Sequence, residues 1–179
     1  MSKKFLLTAF CKDRPGIVAD ISQVIYENEC NLEDSAMTNL AGEFAILLLF
    51  SSLSAESEVD LQEKLSGECR RLERYKGITA FIRPVSSEKP EFKTDIQTKS
   101  IHVEGLDQAG IVYKVSRFLA DNHININALK SEMKLSPESG TAIYSMTLLV
   151  EIPPEISLQS MEERLNRIGD QLNVDVTIE

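Results

Sequence analysis

The chain of 179 residues matches itself at an offset of 94, and that repeat limits the fold more than any other feature. Asp13-Arg14-Pro15-Gly16-Ile17-Val18 aligns with Asp107-Gln108-Ala109-Gly110-Ile111-Val112. At the same spacing Ser22 meets Ser116, Asn28 meets Asn122 and Asn31 meets Asn125. Seven of the nineteen positions from 13 to 31 are identical. Two unrelated amphipathic helices would match at apolar positions, but not also at Asp, Gly, Ser and two Asn. The chain reads as two copies of one domain.

Each copy gives the same order of elements. Lys4–Phe10 and Ser100–Gly105 have strand character. Ile17, Val18, Ile21, Val24 and Ile25 recur at helical spacing, as do Ile111, Val112, Val115, Phe118 and Leu119. Pro15 fits the first turn of the first of these helices. Extended segments follow (Asn31–Leu40 and Asn125–Leu135), then turns at Ala41-Gly42 and Pro137–Gly140, then second strands. The next helix of copy one has Leu61, Leu65, Cys69 and Leu72 on one side, opened by the capping-box pattern Ser57-Glu58-Val59-Asp60. Copy two has Leu158, Met161, Leu165, Ile168 and Leu172 after Pro153-Pro154, and last strands lie at Ile78–Val85 and Val174–Ile178. The expectation is an α+β chain of two ferredoxin-like βαββαβ domains in tandem, each an antiparallel sheet with its helices on one face. The domains span 1–85 and 98–179, with an aperiodic linker at 86–97.

Charge and motifs narrow the function. With 19 basic and 28 acidic residues the net charge is −9, and no run of Lys or Arg exceeds two. A surface for direct nucleic-acid binding is not expected. The apolar stretch Phe5–Phe10 is too short for a signal-peptide core, and the longest apolar run, Phe44–Phe50, is far below membrane-spanning length. Cys11, Cys30 and Cys69 have neither disulfide nor zinc spacing, so reduced buried thiols in a cytoplasmic protein are expected. His102 and His123 fall in no motif, and no nucleophile elbow, P-loop or metalloprotease signature occurs. Glu63, Glu68, Glu162 and Glu163 read as solvated helix faces. The expectation is a protein that is not an enzyme and carries no cofactor.

The second strands differ between copies. In copy two apolar residues alternate with Ser145 and Thr147, whereas Phe44–Phe50 is apolar on both faces. The open face of the first sheet is therefore expected to be covered by the other copy or by another chain, and a homodimer is expected.

A strand, then Asp-x-Pro-Gly-Ile-Val opening a helix, then Asn at the start of the next strand, resembles the ACT domain, a fold that senses small molecules and usually binds amino acids. The resemblance spans both copies. The opening from Lys4 to Val18 is similar to the glycine-cleavage-system transcriptional repressor family and to the regulatory ACT domain of formyltetrahydrofolate deformylases. It implies an effector held where the loop after the first strand meets a neighbouring ACT domain. The residues implied are Asp13 and Asn31 in copy one and Asp107 and Asn125 in copy two; Arg14, Gly16 and Ile17, and Gly110 and Ile111, are candidates beside them at the helix start. First-turn N–H groups can receive a carboxylate, and Asp13 with Asn31 can accept from an ammonium. The implied function is an amino-acid-sensing regulator of glycine cleavage, with glycine or another small amino acid as effector. It would act by contact with a DNA-binding transcription activator. The alternatives are a detached regulatory ACT subunit, or a ligand-free interaction module, for an enzyme of amino-acid or one-carbon metabolism.

Two departures bear on ligand identity. Some serine-binding ACT domains carry His and Asn in this loop, where this chain has Cys11 and Asp13, or Gly105 and Asp107. Copy two also has Gln108-Ala109 in place of Arg14-Pro15, so its site is altered or silent. Each residue has a structural reading too. Asp13 and Asp107 suit helix N-caps, Asn31 and Asn125 suit a tight turn, and Gly16 and Gly110 suit close helix–strand packing. Arg14 is expected to be exposed, facing ligand, partner or water.

Overall fold

The computed structural model describes residues 3–85, 96–136 and 140–179. The chain divides into two compact units, 1–90 and 91–179. The first contains β1 (Lys3–Lys12), α1 (Ile17–Glu27), β2 (Cys30–Leu40), β3 (Glu43–Ser52), α2 (Glu58–Lys76) and β4 (Thr79–Val85). The second contains β5 (Gln97–Leu106), α3 (Ile111–Asp121), β6 (Asn125–Leu135), β7 (Ala142–Ile152), α4 (Leu158–Leu172) and β8 (Val174–Ile178). The sheets have strand orders β2-β3-β1-β4 and β6-β7-β5-β8, antiparallel throughout. This is the expected βαββαβ order in both copies. Most of the expected linker lies outside the described residues, and β5 begins inside it at Gln97. Positions 137–139 of the expected second turn also lie outside them.

Strand alternation decides which face is closed. Phe5, Leu7, Ala9 and Cys11 of β1 and Phe44, Ile46, Leu48 and Phe50 of β3 are buried. Phe5 pairs with Phe50 across the strands, their rings stacked at 5.9 Å. Ile17, Ile21, Val24 and Ile25 of α1 and Leu61, Leu65, Cys69 and Leu72 of α2 complete this core. Full burial of each large aliphatic side chain contributes about 1.5–3 kcal/mol. The second unit repeats the plan with Val115, Leu119, Met161 and Leu165, while Leu158 and Ile168 are only partly covered. Burial pushes the Cys69 thiol up to about 11, and Cys11 and Cys30 are raised for the same reason, so all three are poor nucleophiles.

Several local readings change in the structure. Pro15 precedes α1 rather than sitting in its first turn, because Gly16 is the N-cap at φ 91°. Asp13 and Asp107 do not cap: Gly16 and Gly110 hold both N-cap positions and no side chain bonds the helix start. A Cβ on either glycine would meet no atom closer than 3.8 Å, so each serves the left-handed turn and not close packing. Close packing belongs instead to Gly105, where a Cβ would lie 2.6 Å from the Asn173 carbonyl oxygen, and to Gly169. The turn after the first helix of each unit is made at positive φ by Glu29 and His123, not by Asn31 and Asn125. The repeated Asn28 and Asn122 close those helices, their amides donating to the Val24 and Phe118 carbonyls at 2.7 Å. At the start of α2, Ser57 Oγ accepts from the Asp60 N–H at 3.1 Å, and its hydroxyl donates to the Asp60 carboxylate at 2.6 Å.

The glycine assignments make a prediction. Gly105→Ala forces the β5 backbone against β8 and should cost about 1–3 kcal/mol. Gly110→Ala meets no atom and should lose only the strain of its left-handed backbone, about 1–2 kcal/mol. Urea unfolding should separate the two with a replacement by Asn, which tolerates the left-handed region: it should recover part of the loss at 110 and worsen it at 105 through new contacts.

Candidate functional site

The end of β1, the turn into α1 and the β2–β3 hairpin form one corner of the first unit. The hairpin tip is a two-residue turn, Ala41-Gly42, with φ of 54° and 79°, the paired positive angles that match strand twist. Its Gly42 carbonyl accepts the Asp13 N–H at 2.9 Å, which fixes the corner to the hairpin. Gly16 then turns the chain, and its carbonyl accepts the Asp20 N–H at 2.9 Å as the first helical bond. The N–H groups of Ile17, Val18 and Ala19 precede that bond and have no acceptor within the helix.

These groups surround a cleft of about 400 Å³. Asp13, Arg14, Gly16 and Ile17 line it, together with Met37, Asn39 and Phe44. The Asn39 amide donates to the Asp13 carboxylate. The cleft therefore combines a carboxylate, an amide, a helix N-terminus and an apolar wall. That set suits a small zwitterion: ammonium toward Asp13, carboxylate toward the first turn of α1.

Arg14 turns out to be anchored. Its guanidinium meets Asp20 at 2.9 Å and donates to the Lys76 carbonyl at 3.2 Å, while the Lys76 ammonium reaches the other Asp20 oxygen at 3.1 Å. Hydrogen bonds from Arg14 and Lys76 hold the Asp20 carboxyl below its ordinary range. This clamp ties the corner to α1 and to the end of α2. Arg14 positions the turn as well as bordering the cleft.

Asn31 lies elsewhere. It pairs with Ser51, which pairs with Lys4, whereas Asp13 follows Lys12 at the opposite end of β1. Eight residues separate those ends, roughly 27 Å of strand. Within one unit Asp13 and Asn31 cannot touch the same small molecule. Near Asn31 a bulge at Glu33 directs that side chain onto Lys4 at 2.6 Å; the bond from Lys4 and one from Ser51 lower the Glu33 carboxyl.

The second corner keeps the backbone and changes the chemistry. The Asp107 N–H donates to the Ala142 carbonyl at 3.1 Å, Gly110 turns at φ 101°, and Ile111 opens α3. The charged clamp has no counterpart, since Gln108 and Lys114 stand where Arg14 and Asp20 do. Met133 replaces Asn39, and Tyr144 replaces Phe44 with its hydroxyl buried and unpartnered among the described residues. Asn125 donates to Asn127 at 2.7 Å, which donates to Glu151 at 2.8 Å, so it is engaged at the far end of β6. Asn39, Met37 and Phe44 were not anticipated from the sequence. Counting back from the Ala41-Gly42 tip pairs Asn39 with Phe44, and that is the signal that would have found them.

The clamp predicts an acid-side stability difference. Because the folded Asp20 pKa is depressed, its contribution is present above the unfolded value of about 3.9 and is lost as pH falls through the lower folded value. Asp20→Asn should melt below the parent at pH 6, and the two curves should converge as pH falls through the depressed folded value of Asp20. A gap in melting temperature that stays constant from pH 6 to pH 2 would contradict the clamp.

Comparison with known proteins agrees with this architecture. The ACT domain family model matches residues 3–74. The glycine cleavage system transcriptional repressor of Escherichia coli is 25% identical over 175 residues, covering 97% of this chain and 87% of the repressor. A crystal structure of an unknown protein from Galdieria sulphuraria superposes with TM-score 0.80 at 28% identity, over 100% of this chain and 98% of that one. A structure assigned to a glycine cleavage system transcriptional repressor superposes at 0.67 with 20% identity, over 100% and 97% of the two chains, and speaks for the fold alone. The family match places an ACT domain at residues 3–74, and the second unit repeats its βαββαβ order and its Asp-x-x-Gly corner.

Proposed function

We propose that this chain is an amino-acid-responsive regulator that senses a small amino acid at the Asp13–Gly16 corner and acts on glycine cleavage through contact with another protein. The observation that carries the reading is the cleft itself, where Asp13, Asn39 and the uncapped start of α1 meet over the apolar wall of Phe44. The similarity to a glycine cleavage repressor, extending over 97% of the chain, supports the regulatory role. A net charge of −9 favours a protein partner, such as a DNA-binding activator, over phosphate backbone. Among the described residues no helix is long and apolar enough to cross a membrane.

The cleft is large enough for a small amino acid. Asp13 neutralises the ammonium, and the N–H groups of Ile17 and Val18 receive the carboxylate. Asn31 of a neighbouring unit completes the set only when another copy brings the start of its β2 to the corner. Asn125 has the same position in the second unit, whose corner at Asp107, Gly110 and Ile111 lacks the Asn39 amide and is the weaker or silent site. Signalling requires the effector to favour one arrangement over another; a tenfold difference in affinity shifts that balance by about 1.4 kcal/mol.

Isothermal titration against the twenty amino acids tests the reading. Glycine or another small amino acid should give heat with the wild-type chain. Asp13→Ala combined with Asn39→Ala should weaken it about tenfold or more, as expected when charge-assisted hydrogen bonds worth about 1.5–3 kcal/mol are lost. Binding that is unaffected in this double variant would move the site elsewhere. No heat with any amino acid would leave a ligand-free interaction module instead.

A further inference from the structure

The open face of the first sheet carries a pattern that the effector reading does not use. Its side chains form rows that run across the strands in the order β2-β3-β1-β4. One row is Asp34, Leu49, Leu6 and Arg83. The next is Ala36, Leu47, Thr8 and Phe81. The third is Thr38, Ala45, Phe10 and Thr79. Phe81, Phe10 and Leu47 are 54%, 48% and 43% exposed, a high value for large apolar groups on a sheet face. A depression of about 280 Å³ lies over the first row.

The two charges of that row stand on opposite edges. Three strand spacings separate them, roughly 14 Å, so they cannot pair with each other. Among the described residues neither forms an ion pair.

We propose that this face docks on the same face of a second copy of the chain, about a two-fold axis parallel to the strands between β3 and β1. That rotation lays β2 over the partner's β4 with the rows kept in step. Asp34 then faces the partner's Arg83, and Arg83 faces the partner's Asp34. Size is complementary as well as charge. Phe81 meets the partner's Ala36, Leu47 meets the partner's Thr8, and Phe10 meets the partner's Ala45. In the second and third rows large groups thus oppose small ones, and in the first Leu49 meets the partner's Leu6, as stacked sheets interdigitate at about 10 Å. With the fourth row of this face, Asn31, Ser51, Lys4 and Val85, four strands by four residues cover roughly 500 Å² per copy, about 1,000 Å² in total, the lower bound for a specific interface.

The second unit shows why it does not substitute for this surface. Its corresponding face contains the row Glu132, Ser145, Glu104 and Asp175. The same rotation would set Glu132 against Asp175 of another copy, acid against acid. The first face is self-complementary and the second is self-repelling.

Charge reversal tests the proposal in the full chain, read by sedimentation equilibrium with circular dichroism as the folding control. Wild type should dimerise. Asp34→Arg alone and Arg83→Asp alone each create two like-charge pairs and should weaken the dimer about tenfold or more at low ionic strength, less in high salt. Mixing the two single variants should restore dimer, because every facing pair becomes opposite in sign; the double reversal in one chain should restore it too. Phe81→Glu should give a folded monomer. A monomeric wild type at tens of micromolar, a dimer indifferent to these reversals, or a mixture no tighter than either variant alone would overturn it.

Discussion

A four-stranded sheet has two faces, and two helices can close only one of them. In each unit the closed face is set by alternation along the central strands, with Phe5, Leu7 and Ala9 of β1 facing Ile46, Leu48 and Phe50 of β3 beneath α1 and α2. The uncovered parts follow from this. β2 lies at the sheet edge, and apart from its start its residues stay exposed along their whole length. The cleft opens where that uncovered strand passes the start of α1, so Met37 and Asn39 remain available to whatever enters.

The two units share the backbone devices that this packing requires. A left-handed glycine starts the first helix of each, an asparagine closes it from inside, a non-glycine residue at positive φ follows, and a bulge falls at Glu33 and Asn127. Side chains that the backbone does not need have diverged. Arg14 and Asp20 give way to Gln108 and Lys114, Asn39 to Met133, and the apolar open face to one with acids. Duplication kept the frame and left one copy with the better-equipped corner.

Much of this was legible in the chain before folding. The offset of 94 announced two domains, the helical stripes named most of the core, and Asp13 and Gly16 marked the corner. Other readings failed for identifiable reasons. Pro15 and Asp13 look like helix-start residues, but the left-handed turn at Gly16 shifts the start past both. Arg14 looks free because its partner Lys76 is 62 positions away and belongs to another helix. Asn31 looks like a neighbour of Asp13 only until the strand directions are known, since parallel placement of β1 and β2 about β3 puts the two at opposite ends.

The sequence alone determined the element order, the duplication and the buried stripes, because each of these depends on periodicity within a few turns or residues. Tertiary structure decided which residues meet, Asn39 with Asp13 and Arg14 with Asp20 and Lys76, and which share a row without touching, Asp34 and Arg83. Such encounters depend on strand register, and a bulge of a single residue sends every later side chain to the other face. No local pattern carries that information, so it emerges only when the sheet has formed.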